Sequence, residues 1–173
     1  GRCATRRLET GPTFDHGAQY FTVRDIHVQR YVDSWVQQGI VAPWIGRFGK
    51  WVSGKVIPLV DQPTRYVGVP GMSVLGQHLG RDLSIRRETK ITHVTRDGNG
   101  WLVQAEEEGH YGPFEYLVVS IPAPQSRELL LKEEFSFAWP ETEMTPCWTI
   151  LCAFENPIGL NWDGLFLEGS PLS

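Results

Sequence analysis

The sequence predicts an α+β fold built of mixed α/β pieces, and three observations carry that expectation. Apolar residues recur at helical spacing early in the chain and at two-residue alternation later, short apolar runs are separated by turn residues, and strands and helices follow one another without strict alternation. Positions 25–38 place Ile26, Val28, Tyr31, Val32, Trp35 and Val36 on one helical face, with Asp25 as cap and Gly39 as stop. Positions 45–48 and 51–57 are apolar and aromatic runs broken by Gly49 and Gly54, the pattern of a strand pair with tight turns. Pro58 and Pro63 bracket a loop around Asp61, Gly68-Val69-Pro70-Gly71 is a turn, and Met72, Leu75 and Leu79 predict a short helix over 72–79. Positions 91–96, 101–106 and 116–120 predict a three-stranded meander, with Asp97-Gly98-Asn99-Gly100 as hairpin chemistry between the first two. Pro122-Ala123-Pro124 opens a helix continued over 125–131, and 144–154 and 165–167 predict two further strands.

Composition narrows the function classes. The chain has 173 residues, enough for one large domain or an unequal pair at roughly 100 to 200 residues each. Sixteen Lys plus Arg against twenty Asp plus Glu leave a net charge of -4, which provides no general attraction for nucleic acid or anionic lipid. The longest apolar run, 116–121 with one Ser inside, falls short of the roughly 20 residues a membrane-spanning helix needs. The expectation is therefore a protein with no nucleic-acid or membrane partner. Cys3, Cys147 and Cys152 are an odd, sparse set without a CxxC pair, which argues against a disulfide framework or structural zinc and fits a reducing cytoplasm. No GxGxxG, GxxxxGK, HExxH or GxSxG occurs, and the five histidines have no metal-ligand spacing, so no metal site is expected. Glu106-Glu107-Glu108 reads as a solvated turn, because adjacent strand residues face opposite ways.

Two segments stand out. Gly1-Arg2-Cys3-Ala4-Thr5-Arg6-Arg7 sets three arginines beside a glycine, which fits either an exposed basic loop or a backbone that approaches a phosphate or extended cofactor. Phe14-Asp15-His16-Gly17-Ala18-Gln19-Tyr20-Phe21-Thr22 puts two small residues before a Gln and two aromatics. That mixture suits an ordinary buried strand start or a pocket, where small residues let a flat group come close and the Gln amide both donates and accepts.

Taken together, GRCATRR, FDHGAQYFTVRD, RYVGVPGM, KITHV, VVSIPAPQ, the PCW tripeptide and the closing SPLS resemble the renalase-like FAD-dependent oxidoreductases of bacteria, a branch of the flavin amine oxidase superfamily. The resemblance runs over essentially the whole chain in the family's order. The family begins with a strand, GxGxxG and a helix before the Gly-Gly-Arg that the start of this chain resembles, and continues into a C-terminal portion. The expectation is thus a central piece of a longer protein, lacking flanking segments of its own chain. On this resemblance 1–13 and 83–142 form a partial FAD-binding domain, and 14–82 and 143–173 a partial substrate-binding domain with a mixed sheet and flanking helices.

The resemblance implies FAD as cofactor, with Arg2, Gln19, Tyr20 and the backbone of Ile91 as its contacts. It implies a substrate site formed by Tyr20, Phe21, Thr22, Val23 and Arg24, by Leu59, Val60 and Asp61, and by Cys147. The family has Pro-Thr-Trp at the last of these, whereas this chain has Pro146-Cys147-Trp148, and a thiol is a much weaker donor than a hydroxyl. The implied reaction oxidises isomeric dihydronicotinamide dinucleotides (2- or 6-dihydro-NAD(P)) to NAD(P) by hydride transfer to the flavin, with dioxygen as acceptor and hydrogen peroxide as product. No catalytic side chain is implied, because the flavin carries the chemistry. Two alternatives stand beside this: a flavin amine oxidase acting on amines, and an inactive fragment or binding module without FAD.

Overall fold

The structure is a computed structural model that describes residues 2–9, 11–60, 62–107, 109–131 and 141–169. Three helices and ten strands in several small sheets occur among these residues, an α+β fold. The chain divides into two units, 1–83 with 148–173, and 84–147. Residues 1–13, which the resemblance groups with 83–142, fall in the first.

In the first unit, β1 (Thr5–Arg7) and β2 (Thr13–Asp15) form an antiparallel hairpin with Arg6 opposite Phe14. Part of the basic opening segment is thus strand. The helix α1 (Ile26–Gln37) begins where the Asp25 carboxylate accepts the His27 and Val28 N–H groups at 2.7 and 3.2 Å. It ends at Gln37 with Gln38 as its C-cap; Gly39 follows at positive φ, and the Ile40 N–H returns to the Trp35 carbonyl. β3 (Val41–Pro43) pairs with β6 (Tyr66–Gly68), and α2 (Ser73–Gly80) follows at once. The first turn of α2 has no cap of its own. Asp15 accepts the Met72 N–H at 3.0 Å and the Thr5 hydroxyl accepts the Ser73 N–H at 3.1 Å, so the β1–β2 hairpin closes that helix end. Val32, Val41 and Met72 are fully buried here.

The remaining sheet of this unit has β4 (Phe48–Val52) at its centre, antiparallel to β5 (Lys55–Pro58) and parallel to β10 (Gly164–Glu168). The β4–β5 hairpin turns on Ser53-Gly54, both at positive φ (49° and 85°), the conformation whose twist matches the strands it joins. Gly49, expected to break a strand, lies buried within β4, because only its bare Cα leaves room for Val56, Leu165 and Trp162. Ile45, expected to begin a strand, lies in the loop before β4 and is exposed. The strand expected over 144–154 is corrected: this segment joins no ladder, Pro146 has no N–H to give, and nearly all of it is exposed.

In the second unit, β7 (Ile91–Asp97), β8 (Gly100–Ala105) and β9 (Gly109–Phe114) form the meander. Asp97 accepts the Asn99 N–H at 2.7 Å within the expected hairpin turn. The third strand is not 116–120 but β9, which returns directly after Ala105. The pairing steps from Trp101↔Phe114 to Val103↔Tyr111, so β9 carries one extra residue at Gly112-Pro113, and this bulge accommodates a proline on an edge strand. Residues 116–120 do alternate, with Leu117 and Val119 packed on the core and Tyr116, Val118 and Ser120 exposed, yet they have no ladder partner among the described residues. The helix α3 (Ala123–Leu130) follows and sets Leu130 against Val94 and Val103. Lys90 donates to Glu106 at 2.8 Å, and this hydrogen bond together with the Glu106 charge raises the Lys90 pKa above the ordinary lysine value. Its stabilising effect is complete below the ordinary lysine pKa and fades only as pH rises through the raised one, so it is constant near neutrality.

Replacing Asp25 removes the cap of α1. Asp25→Ala should lower the unfolding free energy by about 1 kcal/mol, whereas Asp25→Asn should lower it little. Urea denaturation followed by circular dichroism measures both; equal losses in the two variants would show that the carboxamide cannot replace the cap and that charge is what matters.

Candidate functional site

The site is built where the chain leaves the β1–β2 hairpin. The Ala18 N–H donates to the Arg2 carbonyl at 2.5 Å, which lays the start of the chain against Gly17-Ala18. A Cβ on Gly17 would sit 2.1 Å from the Arg2 carbonyl oxygen, so only glycine permits this approach. Arg2 and Gln19 are exposed and Tyr20 is half-buried.

Phe21 forms a bridge with Tyr66, exchanging backbone hydrogen bonds of 3.0 and 2.8 Å, and the two rings stack at 5.6 Å. The Tyr66 hydroxyl accepts from Gln29 of α1 at 3.1 Å, which fixes that ring pair against the helix. Tyr20 packs on Trp44 at 5.9 Å, and Trp44 meets Phe48 edge-on at 4.9 Å. In the middle lies Arg65, a buried cation whose Cζ stands 5.3 Å from the Tyr20 ring centroid, 4.3 Å from that of Phe48 and 5.5 Å from that of Phe166. Ring faces attract a guanidinium by about 0.5 to 2 kcal/mol each, the more so when water is excluded.

Of the residues expected to hold FAD, Arg2, Gln19 and Tyr20 therefore share one corner of the first unit. Ile91 opens β7 in the second unit, with its half-buried side chain against the Val94, Val103 and Leu130 core. Of the expected substrate residues, Tyr20 and Phe21 flank Arg65 and Tyr66, and the Leu59 N–H donates to the Phe48 carbonyl at 2.9 Å, bringing that loop to the same ring cluster. Thr22, Val23 and Arg24 connect the Phe21 bridge to α1, with Thr22 and Arg24 exposed. Val60 is exposed and Asp61 lies outside the described residues. Cys147 is an exposed thiol at the end of the second unit. The residue that sequence reasoning missed is Arg65. It was visible only as the first letter of RYVGVPGM; the rings around it come from 20, 48 and 166, so no neighbouring residue marked it.

A cleft of about 810 Å³ lies elsewhere, between α3 and the 119–121 segment of the second unit, and none of the expected site residues lines it. No group of three or more metal-binding side chains is gathered among the described residues, and no helix among them is long and apolar enough to cross a membrane. No protein-family model matches the chain.

Gly17→Ala should force the Arg2 backbone away and lower stability by about 1–3 kcal/mol. Gly98→Ala, where a Cβ meets nothing within 4 Å, serves as the control and should change little. Thermal unfolding of the two variants reads the difference, and equal melting temperatures would show that the Arg2 approach tolerates a side chain.

Proposed function

We propose that this chain is part of a renalase-like FAD-dependent oxidoreductase that oxidises isomeric dihydronicotinamide dinucleotides to NAD(P), with dioxygen reduced to hydrogen peroxide. The observation that carries the reading is the hydrogen bond from the Ala18 N–H to the Arg2 carbonyl, which brings residue 2 to the Gln19-Tyr20 corner although it lies well before that pair in sequence. The residues present there fit the cofactor: Arg2 offers a permanent charge and five N–H donors, Gln19 a donor and acceptor pair, and the Tyr20 ring a flat apolar wall. When bound, FAD supplies the hydride acceptor and the site at which dioxygen is reduced.

The protein's own residues then bind, orient and exclude water. Arg2 would engage phosphate or carbonyl oxygens of FAD. Tyr20, Phe21 and Leu59 would line the substrate side, where aromatic surfaces suit a dihydronicotinamide ring. An electron-rich dihydropyridine loses hydride without a general base, so the site needs positioning more than acid or base chemistry. The amine alternative fares worse at this place, because the Arg65 cation 5.3 Å from the Tyr20 centroid repels a protonated amine. A dinucleotide brings negative charge instead.

Peroxide release from the full-length polypeptide, supplied with 2- or 6-dihydronicotinamide dinucleotides or with simple amines, tests this directly. Peroxide is expected with the dihydronicotinamides and not with the amines; the reverse would establish the amine oxidase reading. In the family a GxGxxG turn and the helix after it anchor the pyrophosphate of FAD, and these 173 residues contain no such motif. The 173-residue chain purified alone should accordingly hold FAD weakly and turn over nothing. Flavin absorbance at one equivalent per chain would overturn that expectation.

A further inference from the structure

Arg65 is a buried cation whose Nε has no hydrogen-bond partner. It is 7% exposed, its carbonyl accepts the Trp44 N–H at 2.7 Å, and that Nε is sealed from solvent. The rings of Phe48, Tyr20 and Phe166 lie 4.3, 5.3 and 5.5 Å from Cζ. Rings compensate a cation through their π density but offer no lone pairs to N–H groups, which radiate in the guanidinium plane and require oxygen acceptors. The carboxylates that flank β10 on the same sheet are engaged elsewhere, Asp163 with Arg47 and Glu168 with Lys50. A buried N–H on a charged group left without an acceptor is expensive for a fold to keep. It is also what a protein needs to recognise a carboxylate or phosphate in a water-poor site.

We propose that Arg65 is the oxyanion receptor of the substrate site and takes phosphate oxygens of the dinucleotide on its in-plane N–H fork. The three rings hold the guanidinium in orientation and keep water away, which strengthens each charge-assisted hydrogen bond. The choice of a dinucleotide phosphate rests on the oxidoreductase reading above; the receptor itself rests only on the burial, the rings and the unanswered Nε. Lysine at this position keeps the charge and loses the fork, whereas methionine keeps an apolar stem and loses both.

The test uses the full-length polypeptide, inorganic pyrophosphate as probe and Trp44 as reporter, since its ring contacts both Tyr20 and Phe48. Pyrophosphate should produce a saturable change in tryptophan fluorescence that W44F abolishes. R65K should weaken the response roughly tenfold or more, since about 1.4 kcal/mol is a factor of ten, and R65M should abolish it. Sodium acetate at equal ionic strength should produce none. R65M should melt no lower than the parent protein, because it replaces a buried charge whose Nε has no partner with an apolar stem; if R65M fails to fold, R65K decides. A pyrophosphate response unchanged in R65K, or a response to acetate in place of pyrophosphate, overturns the proposal. In turnover, R65K should raise KM for the dihydronicotinamide dinucleotide by roughly tenfold with kcat little altered. An unchanged KM sinks the receptor but leaves the oxidoreductase reading intact. Arg65-dependent pyrophosphate binding by a protein that oxidises no dihydronicotinamide supports the receptor and sinks the oxidoreductase reading.

Discussion

Four distant segments of the first unit meet on one guanidinium. Arg65 stands just before β6, Tyr20 just before the Phe21 bridge, Phe48 opens β4 and Phe166 lies within β10. The arrangement constrains everything around it. A cation taken from water incurs a penalty of several kcal/mol, and three ring contacts of about 0.5 to 2 kcal/mol each return only part of it. The rings must therefore stay close and water must stay out, which leaves little freedom in the loop of 20–24 or in the connection from 44 to 48. The same constraint supplies the chemistry of the place: flat apolar walls, one tyrosine at the edge, and a positive charge favouring anionic ligands over cationic ones.

The first unit also shows how little of a local element need be local in origin. α2 has an αR residue at its cap position and no side-chain acceptor of its own, yet its first N–H groups are met by Asp15 and Thr5 from the opening hairpin. Those two residues bond to each other as well. The hairpin is thus tied to the helix at one end and, through the Arg2 carbonyl and Ala18, to the Gln19-Tyr20 corner at the other. The second unit is simpler. Its described residues hold one meander, one helix and a small core of Val94, Val103 and Leu130, and their pairings join neighbours in sequence.

What could be read from the sequence follows this division between local and distant causes. Helix α1 was legible because its cap, its period and its glycine stop lie within a few residues of one another, and α3 because prolines mark its first turn. The β7–β8 hairpin was legible from Asp97-Gly98-Asn99-Gly100. The third strand was misplaced because Gly112 and Pro113 mask β9, while the clean alternation at 116–120 belongs to a segment that packs without pairing. β3 and β6, three residues each, carry no periodic signal at all. At the site, Gln19 and Tyr20 stood out by residue type, but Arg65 did not. Its burial depends on rings contributed from 20, 48 and 166, and a single arginine in a sequence looks like surface until those rings are in place.

β10 lies parallel to β4 across a separation of 116 residues, as the Arg47 and Asp163 contact beside it records. A growing chain emerges in order, so all of 84–147 leaves the ribosome before β4 can acquire this neighbour. During that interval the β4–β5 hairpin presents an open edge, and Phe166 is not yet available to Arg65. The sheet around β4 can therefore be completed only after the whole of the second unit has been made.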